Sequence, residues 1–95
     1  MAFTLLLTPL ASAQLTEIEK DLRKYRKVRK CLGLIERDPL YPGLRSHRYA
    51  ELDQLHGEKI WESYVENRAP GAFRVFWHYG PGQAEITVVA ITPHP

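Results

Sequence analysis

Hydrophobic positions change their period twice along this chain, and the changes divide it. Between residues 10 and 38 apolar side chains recur every three or four positions: Leu15, Ile18, Leu22, Tyr25, Val28, Leu32 and Ile35 draw one stripe on a helical surface, with charge on the other faces. One helix of that length would reach ~40 Å at about 1.5 Å per residue, long beside a domain of this size. The pattern therefore predicts two helices folded back as a hairpin, breaking between Asp21 and Tyr25, although no glycine or proline marks the break. Pro39 stops the second helix by disfavouring helical backbone in Asp38, and Pro42 and Gly43 follow as turn residues. Ahead of the hairpin, residues 3–7 form a short apolar strand, and Pro9 falls in a first helical turn, where its missing N–H is not needed.

Further on the period drops to two. Trp61, Ser63 and Val65 share one face of a predicted strand, and Ile60, Glu62, Tyr64 and Glu66 share the other. Residues 68–72 carry turn chemistry in Pro70 and Gly71. In the next strand Phe73, Val75, Trp77 and Tyr79 alternate with Arg74, Phe76 and His78, and after a turn at residues 80–83 the β-branched run 85–92 makes a last strand. Residues 44–49 read as extended and 50–58 as an excursion before the meander. The fold expected is α+β: an N-terminal strand, a helical hairpin, then a three-stranded antiparallel meander forming a small sheet packed on the helices. Trp61, Val65, Phe73, Val75 and Trp77 should meet the helices, which leaves Glu62, Tyr64, Arg74 and His78 on a face open for chemistry. Arg74, fixed mid-strand between large apolar neighbours, calls for a partner.

Composition narrows this picture modestly. The 95 residues are enough for one domain, 1–95, and one core. No apolar run approaches the ~20 residues that span a bilayer, so no membrane role is expected. Residues 11–13 (Ala-Ser-Ala) resemble a signal-peptidase site, but a basic leader is missing and Thr8 and Pro9 interrupt the apolar stretch, so residues 3–7 read as a strand instead. A net charge of +2 permits an acidic or nucleic-acid partner without requiring one. Lys20, Arg23, Lys24, Arg26, Lys27, Arg29 and Lys30 crowd one region, either a solvated helix face or a patch for RNA. The single cysteine, Cys31, excludes an internal disulfide and reads as a small buried residue in a reducing, cytoplasmic setting. His47, His56, His78, His94 and Cys31 include no pair at helical zinc spacing, so no metal and no cofactor is expected. His56 reads as a loop residue and His78 as an exposed strand residue.

With this order in view the sequence resembles the RelE/ParE superfamily of toxins from type II toxin–antitoxin systems, over nearly its whole length. The likeness rests on residues 3–9 (Phe-Thr-Leu-Leu-Leu-Thr-Pro) as first strand and helix entry, on 34–39 (Leu-Ile-Glu-Arg-Asp-Pro) with 42–44 (Pro-Gly-Leu), on 73–77 (Phe-Arg-Val-Phe-Trp), and on 91–94 (Ile-Thr-Pro-His) as the late strand ending at a histidine. The resemblance implies a cognate antitoxin protein as partner and, in the nuclease branch, the ribosome and mRNA. It implies an mRNA interferase in which the RNA 2′-OH attacks the adjacent phosphate without a metal. That chemistry needs a base, an acid and cationic donors on the phosphate.

Arg74 matches the family's strand arginine, a phosphate ligand, and His94 matches its late histidine, a general acid or base. By face arithmetic Glu62 is a candidate base, with Tyr64 or Glu66 lining the same face. Arg68 is a candidate second cation, and Arg45, His47 and Arg48 are candidate holders of the RNA backbone. Glu62 and Glu66 equally suit a plain ion-pairing role with Arg74 or Arg68. Several nucleases of the family carry a tyrosine a few residues past the late histidine, where this sequence has Pro95 as its last residue. Two other readings stand beside the nuclease: a non-enzymatic toxin of DNA gyrase, and an inactive interaction domain.

Overall fold

The computed structural model describes residues 2–66 and 71–94. Strand β1 (Thr4–Leu7) leads into helix α1 (Pro9–Ile18) through Thr8, whose hydroxyl accepts from the Ala11 N–H at 3.1 Å and donates to the Val89 carbonyl at 3.1 Å. Thr8 is thus both the helix cap and a tie to the last strand, and Pro9 takes the first helical position. The hairpin breaks where expected, and the device is a cap: Asp21 accepts from the Lys24 N–H at 3.2 Å and starts helix α2 (Leu22–Arg37) afresh. The stripe holds across the break except at Leu22. Leu22, expected on the apolar face, is 58% exposed, whereas Val28, Leu32 and Ile35 are buried as expected, with Cys31 beside them.

Beyond α2 lie a 3-10 turn (Pro42–Leu44), the two-residue strand β2 (His47–Arg48), a second 3-10 turn (Ala50–Leu52) and the single-turn helix α3 (Asp53–His56). The meander follows as β3 (Trp61–Tyr64), β4 (Phe73–Tyr79) and β5 (Glu85–Pro93). The sheet order is β1-β5-β4-β3-β2. The expected arrangement holds, and two features extend it. The sheet has five strands, because β2 adds an edge to β3, and it is mixed, because β1 runs parallel to β5. The helical hairpin carries the chain back across the sheet between β1 and the meander, so β1 pairs with a strand some eighty residues later in the same direction.

The two faces divide as the alternation predicts. Val75, Trp77, Ile86, Val88 and Ile91 pack against Val28, Cys31, Leu32 and Ile35, with Trp61, Val65 and Phe73 at the margin. Each fully buried aliphatic side chain there contributes roughly 1.5–3 kcal/mol. The opposite face is less open than expected. A bulge on β5 opposite Phe76 and Trp77 sets both Val89 and Ala90 beside Phe76 and Ile60, and Tyr49 and Leu52 cover them. A second, smaller core therefore occupies the middle of that face, and the chemistry is confined to one end of it.

Cys31 is 3% exposed, and burial pushes its thiol up to about 12. At pH 8 a thiol reagent should therefore label the folded protein at least a hundredfold more slowly than an unfolded control. Equal rates in a timed iodoacetamide reaction would contradict the packing described here.

Candidate active site at one end of the outer sheet face

Glu62 lies in the middle of β3, wholly buried, with its side chain on the face away from the helices. Three groups from three other segments converge on it. β2 pairs with β3 so that His47 lies directly opposite Glu62, and His47 Nε2 is 2.7 Å from Glu62 Oε1. His94, just past β5, places Nε2 3.2 Å from Oε2. Arg74, on β4, places Nε 3.8 Å from the same Oε2. These are ion-pair distances, yet among the described residues neither Glu62 oxygen nor Arg74 Nε has a hydrogen bond of good geometry. A buried carboxylate with its lone pairs unsaturated is uncommon, since such groups are nearly always fully bonded.

Arg74 is only 7% exposed. Its Nη1 donates to the Glu66 and Phe73 carbonyls at 2.6 and 3.2 Å, and its guanidinium lies 3.7 Å from the centre of the Tyr64 ring. Tyr64 is directly opposite Arg74 in the ladder, so the stack follows from the register. The far side of the site is exposed. Arg45, in left-handed backbone (φ 52°), holds its guanidinium 5.6 Å from the same Tyr64 ring, and the His47 ring meets that ring edge-on at 5.8 Å. Tyr49 closes the other side, edge-on to His94 at 5.8 Å and packed on Phe76. Burial, with the charges of Glu51 and Glu62, raises the Tyr49 phenol above its ordinary range, which keeps it a neutral donor and acceptor.

Glu62, Arg74, His94, His47, Tyr64 and Arg45 thus come together. Other candidates do not. Arg48, next to His47 on a two-residue strand, faces the other way beside Trp61, and its guanidinium is held by Asp53 and by the Ile60 carbonyl. Glu66 does not line the face of Glu62. The strand ends at Tyr64, the chain bends, and the Glu66 carboxylate meets Lys27 at 3.1 Å and Lys24 at 4.0 Å on α2. Arg68 lies outside the described residues. His78 is four residues from Arg74 along β4, about 13 Å at ~3.3 Å per residue, and its ring contacts the Tyr79 carbonyl.

At Glu66 burial opposes the charge, but Lys27, the Phe73 backbone and Lys24 more than offset it and hold the carboxyl below its ordinary value. A carboxyl depressed in the folded state adds stability above its unfolded pKa and loses it as the pH falls through the folded value. Glu66→Gln should therefore lower the thermal midpoint at pH 7, and the gap to the parent should close as the pH drops below about 4. A gap that does not change with pH would overturn the pairing.

No protein-family model and no curated protein matches the sequence. Solved structures do match in shape. A YoeB/ParE toxin from Agrobacterium tumefaciens superposes with a TM-score of 0.75 at 12% identity, over 98% of this chain and 100% of that one. The YoeB dimer from Staphylococcus aureus gives 0.73 at 11% identity, over 100% of both chains. The archaeal RelE–RelB complex from Pyrococcus horikoshii gives 0.70 at 11%, over 98% of this chain and 96% of that one. The fold is that of the RelE and YoeB toxins across the whole chain.

Proposed function

We propose that this protein is the toxin of a toxin–antitoxin pair and that the Glu62 site cleaves RNA, as an mRNA endonuclease working in the ribosome. The observation that carries the reading is the convergence of two half-exposed imidazoles and a buried guanidinium on one buried carboxylate whose oxygens lack well-formed hydrogen bonds. Structural ion pairs are normally saturated. A carboxylate with capacity in reserve, beside two imidazoles whose ring nitrogens can give and take protons, suits acid–base chemistry.

In this reading a 2′-OH attacks the neighbouring phosphorus, its proton passes to the site, and the P–O5′ bond breaks as the 5′-oxygen receives a proton. The products are a 2′,3′-cyclic phosphate and a 5′-hydroxyl. Arg45, exposed at the rim, contacts the phosphate, and Arg74, largely buried, holds Glu62 and the Tyr64 ring in place beneath it. An antitoxin is the expected protein partner. The Pyrococcus neighbour was solved as a complex of RelE with RelB.

The test is growth and bulk translation after inducing the protein alone, beside folded, equally expressed Arg74→Ala and His94→Ala versions. Arrest of translation by the parent is expected, with cleavage reduced about 10²–10³-fold by Arg74→Ala and about 10²–10⁴-fold by His94→Ala. Arrest with translation continuing and DNA damage appearing would replace this mechanism with a gyrase-directed one. Normal growth of the parent would leave an interaction domain.

A further inference from the structure

Two imidazoles approach the two oxygens of one carboxylate, and the nuclease reading assigns a proton-transfer role to only one of them. We infer that His47 is the general acid of this site, the group that protonates the leaving 5′-oxygen, with Glu62 as the positioning residue shared by His47 and His94. The inference rests on the nuclease reading and deepens it.

The ring contacts of His47 distinguish it. Nδ1 is 2.9 Å from the Arg45 carbonyl oxygen, which can only accept, so that nitrogen carries a hydrogen. Nε2 is 2.7 Å from Glu62 Oε1, another acceptor. With an acceptor beside each nitrogen, the ring is placed to present a hydrogen at Nε2. The approach to Oε1 is not a well-formed hydrogen bond, so the Nε2 proton is not locked onto the carboxylate. The His47 side chain is 46% exposed while the Glu62 side chain is 1% exposed, so an RNA phosphate docking at the rim reaches the imidazole and not the carboxylate.

The groups facing His47 complete the arrangement. From β3 they are Glu62 and the edge of Tyr64; from its own segment, the Arg45 backbone and, over the same Tyr64 ring, the Arg45 guanidinium; from β4, Arg74 beyond Glu62; and from the end of β5, His94 on the second carboxylate oxygen. Glu62 cannot reach solvent to act on substrate, but its two oxygens, one beside each ring, hold both imidazoles in place. As the 2′-oxygen bonds to phosphorus, its proton goes to His94. As the P–O5′ bond breaks, the His47 Nε2 proton goes to the 5′-oxygen. His94 ends with one proton more and His47 with one fewer, and the carboxylate between them serves both states, so exchange with water resets the pair.

The test uses short mRNAs on programmed ribosomes, one with an ordinary linkage at the cleaved position and one with sulfur replacing the bridging 5′-oxygen. A thiolate leaves without help from an acid. His47→Gln and His47→Asn, which keep an amide donor on an exposed edge strand, should cleave the ordinary RNA about 10²–10⁴-fold more slowly than the parent and recover to within about tenfold of it on the sulfur-bridged RNA. His94→Gln should remain slow on both. Equal losses for the His47 variants on both RNAs, or parental rates on the ordinary RNA, overturn the acid assignment while leaving the nuclease standing. A parent that cleaves neither RNA overturns the nuclease reading and this assignment with it.

Discussion

Replacing Glu62 by alanine is expected to cost roughly 3–5 kcal/mol of stability and to abolish turnover. The carboxylate is the only acidic group among the described residues that pairs with Arg74, whose guanidinium is 7% exposed. Two backbone carbonyls and the Tyr64 ring accept that guanidinium, but neither removes its charge. Without Glu62 a full positive charge stays buried with only partial compensation. The stability part separates cleanly from the catalytic part. Removing both charges in Glu62→Gln with Arg74→Met should bring stability back towards the parent, because burying two ions is itself costly and an apolar replacement of similar volume is often neutral. Activity should stay absent. Urea unfolding of the two singles and the double checks this, and a double variant as weak as the sum of the singles would mean that the two groups do not interact.

Trp77→Ala is expected to be about as damaging, at roughly 3–5 kcal/mol, a large share of the ~5–15 kcal/mol that holds a domain together. Trp77 is fully buried, stacks on Trp61 with ring centres 5.6 Å apart, and meets Tyr79 edge-on at 5.1 Å. Its indole N–H also starts a chain of hydrogen bonds. It donates to the Ser63 hydroxyl at 2.8 Å, that hydroxyl meets Ser46 at 2.6 Å, and Ser46 donates to the Pro39 carbonyl at 2.7 Å. The chain ties β4 through β3 to the segment that carries Arg45 and His47. Truncation thus opens a cavity on the helix side and loosens one wall of the candidate site. Trp77→Phe keeps most of the volume and loses the N–H, leaving Ser63 short of a donor. It should cost about 1–3 kcal/mol, the penalty of a buried polar group left unsatisfied. Thermal unfolding of both variants checks the order, and an equal loss in the two would mean that the hydrogen-bond chain, and not the ring, carries the effect.

Sequence pattern and tertiary placement part most clearly at the acidic residues of the meander. Glu62 and Glu66 occupy equivalent places in an alternating pattern, yet one lies beneath two histidines and the other reaches lysines on α2. Alternation holds only while the chain stays a strand, and where β3 stops is decided by what packs beside it. His47 makes the same point. Its partner is set by a ladder two residues long, too short to leave any period in the sequence, and only the docking of that edge on β3 brings it to Glu62. Leu22 shows the converse: it keeps the spacing of the stripe, yet as the first residue of a newly capped helix it is exposed.

What the sequence determined by itself was local: helix against strand, the stop at Pro39, the helix entry at Pro9, and which side of β4 carries Val75 and Trp77 and which carries Arg74. These follow from backbone geometry and from side-chain period, which act over a few residues. The tertiary structure alone decided that β1 lies parallel to β5, that Phe76 is covered by Tyr49 and Leu52, and that four segments meet at one buried carboxylate. Such juxtapositions join residues far apart in the chain, and the free energy that fixes them belongs to the packed core as a whole and not to any one stretch of it.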